Sequence, residues 1–212
     1  MNLHDLHTNP EDLDYHAGVE LVPSLAWDKY RYNHDELKKR EKLWARDPQT
    51  AHDYAYNILK GQFELGEKAI AKDAQYSYWY AYNILKGPFE LGEPAIAKDV
   101  DRSYDYAAHV LKAPFLLGEP TIAKNGFYAY WYAKNVLNGP FPLGEPTIAT
   151  DGSCSYLYAR DVLKGPFLLG EPTIAKDAEL SYEYAKDVLK GPFKLGEPVI
   201  LNSKYRQQYL KL

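Results

Sequence analysis

Apolar and polar positions along the chain repeat with a fixed period. A phenylalanine recurs every 26 residues with no insertion between units: Phe63, Phe89, Phe115, Phe141, Phe167 and Phe193. Such constant phasing is typical of tandem repeats in which every unit occupies the same structural slot. The pattern divides the chain into six units, at residues 51–76, 77–102, 103–128, 129–154, 155–180 and 181–206.

The first part of each unit has the pattern of a helix. In the fifth unit, an apolar stripe wider than a single seam recurs at helical spacing: Tyr158, Ala159, Val162 and Leu163. Residues suited to an N-cap precede the stripes: Asp47, Asp73, Asp99, Asn125, Asp151 and Asp177. A Gly-Pro pair follows in four units: Gly87-Pro88, Gly139-Pro140, Gly165-Pro166 and Gly191-Pro192. We expect a long helix of about a dozen residues, with the glycine in the left-handed capping conformation.

The second part of each unit reads F-x-L-G-E-P-x-I-A-K and predicts a shorter helix. Gly serves as its cap, Glu lies in its first turn, and Pro stands where no backbone donor is needed. We expect about two turns, with the Phe, Leu and Ile of this segment filling the gap between successive long helices. Because no strand-like alternation occurs, the sequence predicts an all-α fold, a short α-solenoid of two-helix repeats.

The ends of the chain are predicted to cap this array within a single structural domain. Residues 1–24 lie outside the repeat and form an extension. Residues 25–50 form a degenerate capping repeat, in which Glu41 to Asp47 match Glu67 to Asp73. The six repeats at 51–206 are followed by a C-terminal cap at 207–212. Both ends are more polar than the repeats, as a terminal unit of a solenoid requires.

The unit resembles short tandem repeats found in many bacteriophage proteins. The shared pattern D-x-x-x-S-Y-x-Y-A-x-D-V-L-K-G-P-F-x-L-G-E-P-x-I-A-K-D covers residues 37–206. The resemblance implies a viral source and a helical repeat fold, and it carries no catalytic residues. Departures from the pattern are single residues: Lys68, Ala113, Asn138 and Leu201.

Composition narrows the possible functions. A content of 46% apolar and 15% aromatic residues favours a folded chain, and the 20 tyrosines suit positions that are buried except for one hydroxyl. A net charge of −4 is too small to favour nucleic acid as a partner. Cys154 stands alone, which excludes an internal disulfide. The polar, acidic amino terminus and the lack of a long apolar run predict a soluble cytoplasmic protein with no membrane partner, in the host cytoplasm if it is viral.

No motif for a phosphate loop, a catalytic nucleophile, a dinucleotide or zinc occurs in the sequence, so we expect no enzyme activity and no cofactor. A glutamate recurs in every unit: Glu67, Glu93, Glu119, Glu145, Glu171 and Glu197. These carboxylates are either a row of cation or acid-base sites or, as we expect, first-turn residues of a repeated helix. Five residues near the amino terminus could bind a metal, but their spacing favours a solvated tail: His4, His7, Asp12, Asp14 and His16.

Positions that vary between units are those that stacking is expected to leave free. The third positions of the units are Asp53, Trp79, Asp105, Trp131, Leu157 and Glu183. The seventh positions, on the same helix face, are Asn57, Asn83, His109, Asn135, Asp161 and Asp187. Two units thus carry Trp-x-x-x-Asn, which is similar in surface chemistry to the Trp–Asn array of armadillo repeats, where it binds extended peptides. The alternative is that both tryptophans pack against a neighbouring helix or the N-terminal extension.

This pattern predicts a partner-binding face composed of Trp79, Asn83, His109, Trp131 and Asn135. Its partner is expected to be a protein or peptide, plausibly a host factor, bound by a non-enzymatic monomer. Two alternatives stay open at this point. One is an assembly protein whose ends stack on other copies, which the polar ends disfavour. The other is an enzyme or a sequestrant of a small nucleotide that uses a tyrosine-rich pocket between units.

Overall fold

The computed structural model describes residues 34–212, and the side chains from residue 37 onward. Over this range the chain is a succession of helices without strands, which confirms the all-α repeat fold. Helix α1 spans His34–Trp44. Six long helices follow, each with an α-helical and then a π-helical part: α2 (Pro48–Asp53, Tyr54–Leu59), α4 (Ala74–Trp79, Tyr80–Leu85), α6 (Val100–Asp105, Tyr106–Leu111), α8 (Gly126–Tyr132, Ala133–Leu137), α10 (Gly152–Leu157, Tyr158–Leu163) and α12 (Ala178–Glu183, Tyr184–Leu189). Short helices alternate with them: α3 (Glu64–Ile70), α5 (Glu93–Ile96), α7 (Glu119–Ile122), α9 (Glu145–Ile148), α11 (Glu171–Ile174), α13 (Glu197–Leu201) and α14 (Arg206–Tyr209).

The predicted caps begin the long helices. Asp73 has an extended backbone, and its carboxylate accepts a hydrogen bond from the Tyr76 N–H at 3.0 Å. A side chain in the same slot caps each of the other long helices: Asp47, Asp99, Asn125, Asp151 and Asp177. Each cap satisfies a backbone donor that the first helical turn leaves without an intrahelical partner.

The other end of each long helix differs from the prediction. The residue in the left-handed conformation is the one before the glycine, with φ between 52 and 55°: Lys60, Lys86, Lys112, Asn138, Lys164 and Lys190. In α4, the Ala81 carbonyl accepts hydrogen bonds from the N–H groups of both Lys86 and Gly87. The expectation that the glycine takes this conformation is therefore wrong. A Cβ at Gly87 would meet nothing closer than 3.9 Å, which explains how Ala113 occupies the same slot in the third unit.

The short helices are shorter than the two turns predicted in all but the first unit. Helix α5 spans only four residues, whereas α3 spans seven. Pro94 has no N–H to donate to a carbonyl one turn earlier, so α5 cannot extend toward its amino end. Lys68 stands in that slot in α3 and retains its N–H, which permits the longer helix.

The core repeats with the units. The tyrosine at the fourth position, the alanine after it, and the Phe and Ile of the short segment are all buried. The leucine of L-G-E-P, predicted to fill the same gap, instead lies 51 to 55% exposed: Leu65, Leu91, Leu117, Leu143, Leu169 and Leu195. The glycine after it is required by packing. A Cβ at Gly92 would lie 2.5 Å from the Phe89 ring and 2.7 Å from Ser77.

Buried tyrosines link each unit to the one before it. The ring of Tyr80 packs edge to face on Phe89 of its own unit, with ring centroids 5.1 Å apart. Its hydroxyl accepts a hydrogen bond from the Phe63 N–H at 2.8 Å and donates one to Glu67 at 3.0 Å in the preceding unit. We call this arrangement the tyrosine bridge. It recurs at Tyr106, Tyr132, Tyr158 and Tyr184, and Tyr209 makes the same two hydrogen bonds.

The bridge assigns a structural role to the repeated glutamates. Each one lies in or beside the first turn of a short helix and accepts a hydrogen bond from a tyrosine of the next unit. Upstream of the repeats, Glu41 accepts a hydrogen bond from Tyr54 at 2.7 Å, so α1 occupies the glutamate slot of a unit. Residues 1–33, which include the predicted extension, lie outside the described residues. No helix in the described range is long and apolar enough to cross a bilayer.

Candidate binding face

The five predicted partner-binding residues lie on the long helices α4, α6 and α8. Trp79, Asn83 and Trp131 are half-buried, whereas His109 and Asn135 are exposed. Both indoles therefore retain accessible surface, and neither belongs to the fully buried core. The alternative, in which the tryptophans pack against a neighbouring helix, applies to part of the Trp79 ring, whose centroid lies 5.9 Å from that of His52 in the preceding unit. Whether this face binds a partner stays a prediction.

Seventh positions of units four to six contact the second position of the unit before them, and the third position makes such a contact where Trp79 meets His52. Asn135 donates a hydrogen bond to the Tyr104 hydroxyl at 2.9 Å. In the next two units the hydroxyl is the donor: Tyr130 to Asp161 at 2.8 Å and Tyr156 to Asp187 at 3.0 Å. The expectation that stacking leaves the seventh position free is wrong for these three units. Asn135 remains exposed, but its amide is already oriented by the preceding unit.

The carboxyl-terminal half of the array, from α8 to α12, carries a charged network around the seventh positions. Asp161 accepts hydrogen bonds from Lys134 at 2.8 Å and from Arg160 at 2.6 Å. The Arg160 guanidinium continues to the Tyr156 hydroxyl at 3.3 Å. Burial raises the pKa of Asp161, but the hydrogen bonds from Arg160, Lys134 and Tyr130 outweigh it and hold that pKa well below its usual range. The charges of this half are thus engaged with one another across α8, α10 and α12.

The amino-terminal half of the array, from α2 to α6, carries aromatic rings around the predicted face. The buried His52 ring stacks on Tyr56, with centroids 6.0 Å apart, and lies 5.6 Å from Tyr76. Tyr76 meets Trp79 edge to face at 5.6 Å. One unit further, Tyr82 stands between Tyr78 at 5.8 Å and the exposed His109 at 6.5 Å. Rings fixed by such contacts offer large apolar surfaces with little conformational entropy left to lose.

Clefts open between successive long helices. One of about 230 Å³ lies at the carboxyl ends of α2 and α4 and is lined by Tyr56, Lys60, Asn83 and Ile84. The next, of about 270 Å³, lies at the same ends of α4 and α6, with Tyr82, Lys86, His109 and Lys112 in its wall. A third, of about 300 Å³, lies toward the amino ends of α8 and α10, between Trp131 and Leu157.

A glycine at the amino end of α8 lines the third cleft. Gly126 stands where α4 has Ala74, and a Cβ there would lie 2.6 Å from the Thr147 carbonyl oxygen. Phe127 also lines this cleft, as does Cys154 on the opposite wall. Burial, with a further contribution from Asp151, raises the pKa of the Cys154 thiol to about 12. A thiol with that pKa is a poor nucleophile at neutral pH.

Within the described range, no group of three or more His, Cys, Asp or Glu side chains could hold a metal ion. The amino-terminal residues considered as ligands lie outside that range: His4, His7, Asp12, Asp14 and His16.

Sequence reasoning missed two contributors to the face. The second-position tyrosines orient the seventh-position side chains, and the sixth position supplies the cations Lys134 and Arg160. The signal for the latter was their spacing of four from Tyr130 and Tyr156 along one helix. Comparison of the chain with protein-family models, with curated proteins and with solved structures finds no match.

Proposed function

We propose that this chain is a non-enzymatic helical-repeat protein that binds an extended peptide segment of a protein partner across α2 to α10. One observation carries the proposal. Each of three clefts between long helices is lined by one of the predicted residues: Asn83, His109 and Trp131. Two of these clefts lie one unit apart at the carboxyl ends of their helices, and the third lies two units further along, toward the amino ends. Small clefts distributed along the units suit the side chains of a linear ligand better than a single compact molecule.

The chemistry of the clefts fits a polypeptide. Tyr56, Tyr82 and Trp131 offer aromatic surface for aliphatic or aromatic side chains. Asn83 can donate to and accept from a peptide backbone, whose unpaired groups require both. Helices packed roughly 10 Å apart advance by about three residues of an extended chain per unit, so peptide residues spaced three apart would lie opposite successive units.

Lysines at the helix ends give the proposed site a charge preference. Lys60 and Lys86 lie over the rings of Tyr56 and Tyr82 at 5.5 and 5.7 Å, and Lys112 lies at the edge of the second cleft. These cations are exposed. A peptide with acidic residues near its apolar anchors would be favoured over a basic one.

The proposal is tested with peptides selected from a random library against the full chain. Truncation of Trp79 and Trp131 together to alanine should weaken binding of a selected peptide at least about a hundredfold, as for two interface hot spots. The matched control is Trp44→Ala in α1, which removes an indole that packs on Tyr54 of α2 and lies outside the clefts. Equal affinity of the double variant and the wild type, with both chains folded, would refute the proposed face.

A further inference from the structure

The turn from each long helix to the next short helix, which we call a corner, exposes apolar side chains in units two to six. Each of these corners reads P-F-x-L-G-E-P, in which both prolines are exposed and the leucine is half exposed, whereas the phenylalanine and the glycine are buried. We define the corner strip as the prolines and leucines of these five corners together with the residue just before each leucine: Pro88, Leu91 and Pro94, and their equivalents as far as Pro198. The first unit differs, because Gln62 and Lys68 replace its prolines and end the strip.

The residue before each leucine varies in a symmetric order. From the second unit to the sixth it is Glu90, Leu116, Pro142, Leu168 and Lys194. Leu116 and Leu168 are 75% and 73% exposed, more than any other large apolar residue in the described range. Pro142 thus stands at the centre, with an exposed leucine one unit away on either side. Opposite charges stand two units away.

We propose that the corner strip is the interface with a second copy of this chain, packed antiparallel about a two-fold axis at Pro142. In that arrangement Leu116 of one copy faces Leu168 of the other, and Glu90 faces Lys194. A two-fold interface must be complementary to itself. Glu90 and Lys194 meet this requirement, because they carry opposite charges at equal distances along the repeat from Pro142. A partner of different sequence would give no reason for this reversal of charge.

The charges at the ends of the strip are available for such contacts. Glu90 is exposed, and Lys194 is 80% exposed while its ammonium lies 2.8 Å from Glu197 of its own chain. An exposed pair of this kind is weak, and an ammonium has three protons to donate. Lys194 can therefore reach a second carboxylate without losing the first.

The exposed area is sufficient for a dimer. Seven leucines that are half to three quarters exposed present roughly 700 Å² of apolar surface per copy, summed over the five corners, against the few hundred Å² of a usual single patch. A standard interface buries about 800 Å² on each partner. The strip shares no residue with the predicted binding face, so the dimer goes beyond the proposed function and either can fail without the other.

Sedimentation equilibrium of the full chain tests the interface. The wild type should be dimeric at about 100 µM and dissociate on dilution with a Kd in the micromolar range. Leu116→Glu combined with Leu168→Glu should give a monomer throughout, with a melting temperature within a few degrees of the wild type. Leu43→Glu, at a leucine that is 59% exposed on α1, is the matched control and should remain dimeric. A monomeric wild type, or a dimer that survives the double change, overturns the proposal.

The orientation is tested by exchange of charges. Lys194→Glu places a glutamate opposite Glu90 at two symmetric contacts and should weaken the dimer roughly tenfold. Adding Glu90→Lys to the same chain restores opposite charges and should recover the wild-type Kd to within about threefold. A dimer that the second change does not recover would exclude the antiparallel arrangement.

Discussion

The tyrosine bridge makes one substitution unusually informative. Tyr158 is fully buried, and its hydroxyl accepts a hydrogen bond from the Phe141 N–H and donates one to Glu145, both at 2.9 Å. Tyr158→Phe leaves a buried backbone donor without a partner, which costs about 1–3 kcal/mol. It also removes the hydrogen bond to a carboxylate, and the saved desolvation of the hydroxyl offsets only part of this. We therefore expect a net loss of about 2–3 kcal/mol in the free energy of unfolding.

The same chain offers a matched control at Tyr78. This tyrosine is only 1% exposed, yet its hydroxyl finds no hydrogen-bond partner among the described residues. Tyr78→Phe removes a buried polar atom that has no compensating bond, so it should be neutral or stabilise the protein by up to about 1 kcal/mol. The contrast separates the hydrogen bonds of the bridge from the packing of a tyrosine ring, which both variants retain.

Equilibrium urea unfolding, followed by far-ultraviolet circular dichroism, measures both variants. Glu145→Gln provides an intermediate case, because it keeps an oxygen that can accept from Tyr158 and should cost less than about 1 kcal/mol, whereas Glu145→Ala should cost more. Equal loss of stability in Tyr158→Phe and Tyr78→Phe would show that the hydroxyl contacts between units contribute nothing. A larger loss in Glu145→Gln than in Tyr158→Phe would contradict the same reasoning.

Three further predictions follow from other contacts. Gly144→Ala places a Cβ 2.5 Å from the Phe141 ring and 2.7 Å from Ala129, so it should cost about 1–3 kcal/mol of stability in the same unfolding assay. The control Gly139→Ala, whose Cβ would meet nothing closer than 3.9 Å, should be neutral or slightly stabilising. Burial is the main cause that raises the pKa of the bridge tyrosines above their ordinary value of 10.0. Because the folded chain then keeps protons that the unfolded chain releases, the free energy of unfolding is intact below pH 10. Above pH 10 it falls by about 1.4 kcal/mol per pH unit for each such tyrosine. Circular dichroism and phenolate absorbance should therefore change together, and phenolate absorbance that rises near pH 10 in a fully helical protein would contradict this. With its pKa raised to about 12, Cys154 should react with a disulfide reagent at pH 8 on the order of a thousandfold more slowly in the folded than in the urea-unfolded chain, and similar rates in the two states would show that the thiol is accessible and acidic.

Local chemistry explains what the sequence predicted well. Each N-cap needs only a short polar side chain placed before an apolar helical stripe, so Asp73 and its equivalents could be located from their neighbours alone. The constant spacing of the phenylalanines gave the repeat and the all-α fold. The placement of the third and seventh positions on one side of the long helices rests on helical spacing and stays a prediction.

Features set by contacts between units were missed. The tyrosine bridge joins residues 17 and 13 positions apart, a pairing that no local pattern specifies. The glycine after Leu-Lys was given a left-handed conformation that the lysine before it adopts, since the π-helical end shifts the turn by one residue. Leu91 was assigned to the core by its apolar character, but the buried Phe89 and Ile96 already fill the gap between the long helices.

The indole signals in a ¹⁵N–¹H NMR spectrum test the proposed binding face most directly. The chain has four tryptophans, and single Trp→Phe variants assign the signals of Trp44, Trp79 and Trp131. On titration with a selected peptide, the indole signals of Trp79 and Trp131 should shift together and saturate at one peptide per chain, while that of Trp44 stays in place. Saturable binding of the peptide with both signals unmoved would contradict the proposal that the long helices form the recognition surface.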